Sequence, residues 1–138
     1  MIHVRGLDHV VLRVADLERA RRFYTDVLGC HVEKHQQAIG LLQLRAGLSL
    51  IDLVDVAGKL GRAGGAAPGR EGHNMDHVCV RVAPWDEIAI RAHLRAHGVP
   101  AGETVPRYGA EGEGPSIYIE DPDGNTVELK GLPDRPAA

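Results

Sequence analysis

The chain has 138 residues, 43% of them hydrophobic and 25% charged, with a formal net charge of -3. That length suffices for one domain with a buried core, and the mild acidity gives no reason to expect nucleic acid or an acidic membrane as partner. Two cysteines, Cys30 and Cys79, do not make a disulfide framework. The N-terminus Met1-Ile-His-Val-Arg5 reads as the approach to a strand rather than a leader, and no stretch approaches a membrane span. A cytoplasmic protein is expected.

In chain order, the first element is a strand of alternating character over 7–15, and it returns at 75–83. Leu7-Asp-His-Val-Val-Leu-Arg-Val-Ala15 aligns without a gap on Met75-Asp-His-Val-Cys-Val-Arg-Val-Ala83, with six of nine positions identical. A repeat of this quality organises everything downstream. Asp16 suits a helix N-cap, with Leu17, Ala20, Phe23, Tyr24, Val27 and Leu28 spaced for one buried face and Gly29 as the stop. Strands are then expected at 31–33, 39–44 and 48–54. The glycine-rich stretch 56–74 reads as a flexible linker. In the second copy Pro84 suits the first helical turn and Gly98-Val-Pro100 ends the helix. Strands follow at 103–105, 116–120 and 125–130, with Asp121-Pro-Asp-Gly124 as a turn and 100–115 as a candidate lid. The fold class is α+β: two βαβββ modules, at 1–56 and 75–132, joined by 57–74.

Alternation divides each repeat strand into two faces. Val10, Leu12 and Val14 oppose His9, Val11 and Arg13; Val78, Val80 and Val82 oppose His77, Cys79 and Arg81. The apolar faces suit helix packing, which leaves His9 and His77 at equivalent positions on the other face. The last strand of each module adds a carboxylate, Asp52 and Glu128. Asp52 lies in the apolar run Leu48-Ser-Leu-Ile-Asp-Leu-Val54, where burial would be costly without a cation or donors. Two imidazoles with one or two carboxylates suit one divalent cation (Zn, Ni, Co, Mn or Fe) with coordination positions open to substrate. Cys79 reads as a small packing thiol, and His93 with His97 as surface residues lacking the Glu of a His-Glu-x-x-His motif. Arg13, Arg107 and Tyr108 are candidates for holding a substrate anion or closing over it, and Ser116 and Tyr118 share a face with Glu128 if no bulge intervenes.

Leu7-Asp-His-Val-Val-Leu-Arg-Val14, Phe23-Tyr-Thr-Asp-Val-Leu-Gly29, Met75-Asp-His-Val78 and Ser116-Ile-Tyr-Ile-Glu-Asp-Pro-Asp-Gly-Asn-Thr-Val-Glu-Leu129 together resemble the vicinal-oxygen-chelate superfamily. That superfamily includes glyoxalase I, fosfomycin-resistance thiol transferases, bleomycin-binding proteins and extradiol dioxygenases. The segments Val105-Pro-Arg-Tyr-Gly-Ala110 and Ser116-Ile-Tyr-Ile119 look most like its glyoxalase-domain-containing proteins. The resemblance implies paired modules forming an incomplete mixed β-barrel around a metal held by His9, His77, Glu128 and Asp52. Glyoxalase I usually has Glu where this chain has Asp52, so Asp52 stands either as a direct ligand or as a neighbour of the ligands. The implied function is a metal-dependent lyase or isomerase on a small oxygen-chelating substrate such as a thiol–aldehyde adduct, with Glu128 or Asp52 as base. Fosfomycin-type thiol transfer and extradiol cleavage are its enzymatic competitors. A bleomycin-type sequestering protein is the non-catalytic one. The implied partners are the small-molecule substrate, a thiol cosubstrate and a second copy in a homodimer.

Overall fold

The structure is a computed structural model and describes residues 1–133. The chain divides into two compact units, the first ending at Asn74 and the second starting at Met75. Each carries one mixed four-stranded sheet.

In the first unit, β1 (His9–Val14) leads to α1 (Leu17–Arg22), whose cap is the expected Asp16, accepting from the Arg19 N–H. One turn of π-helix, Phe23–Val27, continues it, and Gly29 at φ 73° ends the run in the left-handed region that a side chain would resist. Three strands follow: β2 (His31–Gln36), β3 (Leu41–Ala46) and β4 (Ser49–Asp55). The sheet order is β1-β4-β3-β2, with β1 and β4 parallel and the remaining pairs antiparallel. The register pairs Leu12 with Leu53 and Leu53 with Leu42, so one face carries Leu12, Val14, Leu42, Leu44, Ile51 and Leu53, all buried. Ala20, Phe23 and Tyr24 of the helical segment are buried with them. Each such aliphatic side chain contributes roughly 1.5–3 kcal/mol on leaving water, so this face is the fold's main support.

The stretch 57–74, expected as flexible linker, has a short helix α2 (Lys59–Arg62) and a set of specific contacts. Arg13 Nη1 donates to the Ala66 carbonyl at 3.0 Å, and Nη2 donates to those of Gly61 and Gly65 at 3.0 and 2.8 Å. Asn74 Nδ2 in turn donates to the Arg13 carbonyl at 2.8 Å. A Cβ at Gly64 would lie 2.6 Å from Arg13 Cζ, so glycine is required for the guanidinium to sit there. Glycine content misleads in this segment because Gly64 makes room for an arginine and Gly61 for the backbone of Asp55 and Val56.

The second unit follows the same plan with β5 (Val78–Val82), α3 (Glu87–Ala96), β6 (Val105–Gly109), β7 (Gly112–Glu120) and β8 (Thr126–Gly131), in sheet order β5-β8-β7-β6. Asp86, not Pro84, starts the helix: its side chain accepts from the Ala89 N–H, and Pro84 lies three residues ahead in a cis peptide with Ala83. Leu94, Ile117, Ile119, Val127 and Leu129 are buried on the apolar side. Residues 100–115, expected as a lid, largely form the β6–β7 hairpin, in which Arg107 pairs with Gly114 and Tyr108 with Glu113. Neither four-stranded sheet closes on itself. Among the described residues no helix is long and apolar enough to cross a membrane.

Candidate functional site

Both sheets carry polar residues on the face turned from the aliphatic one, at positions that the two registers make equivalent. In the first unit Asp52 pairs with Val11 on one side and Gln43 on the other. In the second, Glu128 pairs with Cys79 and Tyr118. Since Val11 and Cys79 are repeat partners, Asp52 and Glu128 occupy the same place in the two modules. His9 and His77 open the equivalent β1 and β5 edges of that face.

Asp52 is 3% exposed. Its Oδ2 accepts from Gln43 Nε2 at 3.2 Å, and Gln43 Oε1 accepts from Gln36 Nε2 at 3.3 Å. Its Oδ1 is buried and has no hydrogen-bond partner. A buried carboxylate oxygen left bare costs about 1–3 kcal/mol or more, a cost that a cation or a bound water would offset. His9, close enough to feel the Asp52 charge, is raised above its ordinary value of 6.5, chiefly by its hydrogen bond to Asp8.

Glu128 is 5% exposed. Its Oε1 accepts from Ser116 Oγ at 2.7 Å, and its Oε2 lies 3.2 Å from His77 Nε2. Ser116, itself 0% exposed, also accepts from Arg107 Nη1 at 2.9 Å. The Arg107 guanidinium lies over the Tyr118 ring, 4.0 Å from its centroid, and His77 meets that ring edge-on with the ring centroids 5.6 Å apart. Five residues expected from the sequence are thus one connected group: His77, Glu128, Ser116, Tyr118 and Arg107.

Two expected substrate-binding residues stand outside that connected group. Arg13 spends Nη1 and Nη2 on the carbonyls of 61–66, so it holds the chain rather than presenting a free fork. Tyr108 is 80% exposed and alternates away from Arg107, putting it on the opposite face of β6. Cys79 shares the face of Glu128 and is exposed, but burial of its thiol, with the Glu128 charge adding, pushes it up to about 11. At neutral pH it is a thiol, not a nucleophilic thiolate.

Other participants were not singled out from the sequence. Gln43 orients Asp52, and its strand position opposite Asp52 is legible only once the register is known. Lys130 is 7% exposed, with Nζ donating to the Gly112 carbonyl at 2.9 Å, which ties β8 to the hairpin tip. Asp8 and Asp76 each bond the Nδ1 of the following histidine at 2.6 Å. For these two the signal was present: the Asp-His dipeptide recurs in both repeats.

Each unit therefore offers one imidazole Nε2 and one carboxylate. Within neither unit do three His, Cys, Asp or Glu side chains gather as a metal cluster among the described residues. The donor types nevertheless suit a divalent cation, and the bare Oδ1 of Asp52 is the atom that most needs one.

Comparison with known proteins agrees with this architecture. The family model of the Glyoxalase/Bleomycin resistance protein/Dioxygenase superfamily matches residues 6–129. The chain is 34% identical over 135 residues to the glyoxalase domain-containing protein RDO1 of Mycosarcoma maydis, covering 96% of this chain and 72% of that protein. It is 28% identical over 131 residues to the mitochondrial methylmalonyl-CoA epimerase of Bos taurus, covering 90% of this chain and 73% of the relative. The crystal structure of a virulence protein from Salmonella typhimurium superposes with a TM-score of 0.76 at 26% identity, covering 95% of this chain and 99% of that one. Repeat, paired mixed sheets and family match lead to one conclusion: the chain belongs to the Glyoxalase/Bleomycin resistance protein/Dioxygenase superfamily.

Proposed function

We propose that this protein is a divalent-metal-dependent, glyoxalase-like enzyme, with His9, Asp52, His77 and Glu128 holding one cation. The observation that carries the reading is the repeat-matched placement of an imidazole and a buried carboxylate on one face of each sheet, one carboxylate having a bare buried oxygen. The modules 1–56 and 75–132 then act as one domain, and a homodimer is the expected assembly. Zn, Ni, Co, Mn and Fe all suit the donors. When bound, such a cation supplies a Lewis acid for two adjacent substrate oxygens.

The chain's own residues then supply the proton chemistry. Glu128 is the base: Ser116 fixes its Oε1, and Oε2, 3.2 Å from His77 Nε2, is the oxygen that takes a proton from carbon next to a carbonyl. Asp52 is the second candidate, since its Oδ1 faces no competing donor. Arg107 is held between Tyr118 and Ser116, with its remaining N–H groups available to an anionic part of the substrate. A thiol–aldehyde adduct fits this chemistry.

The likeness to a methylmalonyl-CoA epimerase supports a second reading within the same chemistry. Epimerisation next to a carbonyl also begins with removal of a carbon-bound proton and differs only in where the proton returns. Both readings are tested by assaying metal-loaded and chelator-treated protein with methylglyoxal plus glutathione and with methylmalonyl-CoA. Turnover of either that vanishes on chelation and in Glu128→Gln is the expected result. Turnover of neither, or turnover indifferent to chelator, contradicts the proposal.

A further inference from the structure

His9 and His77 are oriented by the same device. In the first unit His9 Nδ1 lies 2.6 Å from Asp8 Oδ1; in the second His77 Nδ1 lies 2.6 Å from Asp76 Oδ2. Each aspartate immediately precedes its histidine, just outside the strand or at its entry. In the second unit the opposite nitrogen, Nε2, lies 3.2 Å from Glu128 Oε2. Both carboxylates are highly exposed, 90% at Asp8 and 96% at Asp76. An ion pair there adds little to stability. The recurrence of one contact at two independent, repeat-equivalent places needs another explanation.

We propose that Asp8 and Asp76 are positioning residues that hold His9 and His77 with the hydrogen on Nδ1, so that both imidazoles offer Nε2 to a cation. This rests on the metal reading above for its purpose but not for its geometry. A neutral imidazole has one N–H and one lone pair, and which nitrogen keeps the hydrogen is set by the bond the other side makes. An aspartate on Nδ1 accepts from Nδ1–H, fixes the ring plane and leaves the Nε2 lone pair on the polar face. Partners of this kind commonly contribute about 10–100-fold to metal affinity.

The test uses the full chain in four forms: wild type, Asp8→Ala/Asp76→Ala, Asp8→Asn/Asp76→Asn, and His77→Ala as reference. Nitrogen-15 NMR of the metal-free protein at a pH where the rings are neutral reads the tautomers directly. Titration with Co²⁺ or Zn²⁺ against a competing chelator reads affinity. The expected result is Nδ1–H at His9 and His77 in wild type, a shift toward Nε2–H in the alanine variant, and cation affinity about 10–100-fold weaker there. The asparagine variant, whose amide oxygen still accepts, restores the tautomer and most of the affinity. Unchanged tautomers in the alanine variant overturn the inference, as does affinity equal to wild type. A wild-type chain that binds no cation while its tautomers shift as expected sinks the metal reading and leaves the orienting role standing.

Discussion

At Asp52 one carboxylate oxygen is bonded to Gln43 and the other is buried and bare, so the side chain suits a cation better than it suits the fold. Neutralising it should therefore separate stability from binding. Asp52→Asn is expected to raise the melting temperature of the metal-free protein, by the equivalent of about 1 kcal/mol. The same change should remove most of the stabilisation that added Zn²⁺ or Ni²⁺ confers, and paired thermal melts with and without the ion check both arms. Cys79 gives a second expectation. Its pKa, like that of Cys30, is raised by burial from the ordinary 9.0 to about 11. Alkylation of Cys79 by iodoacetamide should be slow at pH 8 and accelerate as pH approaches 11, measured by mass spectrometry. The sign for stability follows: native protein holds these thiol protons more tightly than unfolded chain. Their contribution is present in full below pH 9 and is lost as pH rises through about 11.

The elements of this fold are set by alternation, and where alternation runs uninterrupted the sequence is easy to read. The faces of β1 and β5, the Asp16 cap, the Gly29 stop and the β4 and β8 carboxylates all follow from spacing and residue type. What local pattern does not carry is who lies across the sheet. Gln43 opposite Asp52 depends on strand register, a tertiary property, and Ser116 and Tyr118, which spacing already offers for the face of Glu128, meet it only through that register. Arg13 shows the same limit from the other side: it stands on the site face, yet the carbonyls of 61–66 reach it first. Arg13→Ala should therefore loosen residues 57–74, with faster amide exchange and earlier proteolysis in that stretch. Gly64→Ala should do the same by displacing the guanidinium. Ser116→Ala is expected to destabilise the fold by about 1–3 kcal/mol, because it strips a donor from the buried Glu128 and an acceptor from Arg107. Chemical denaturation reads that change.

At the scale of the whole molecule, duplication is the organising feature. One βαβββ plan is used twice, and each copy supplies an imidazole and a carboxylate at matching register positions. Family membership fits that plan, and the reaction proposed for it rests on a bound cation. Metal stoichiometry and affinity therefore test the central claim most directly. Purified protein, stripped with chelator and titrated calorimetrically with Zn²⁺, Ni²⁺ and Co²⁺, is predicted to bind one ion per chain. His9→Ala, His77→Ala and Glu128→Gln should each weaken that binding by at least about 100-fold, the order expected when a ligand itself is lost rather than an outer partner. Wild-type protein that takes up none of these ions, or variants that bind as tightly as wild type, would contradict it.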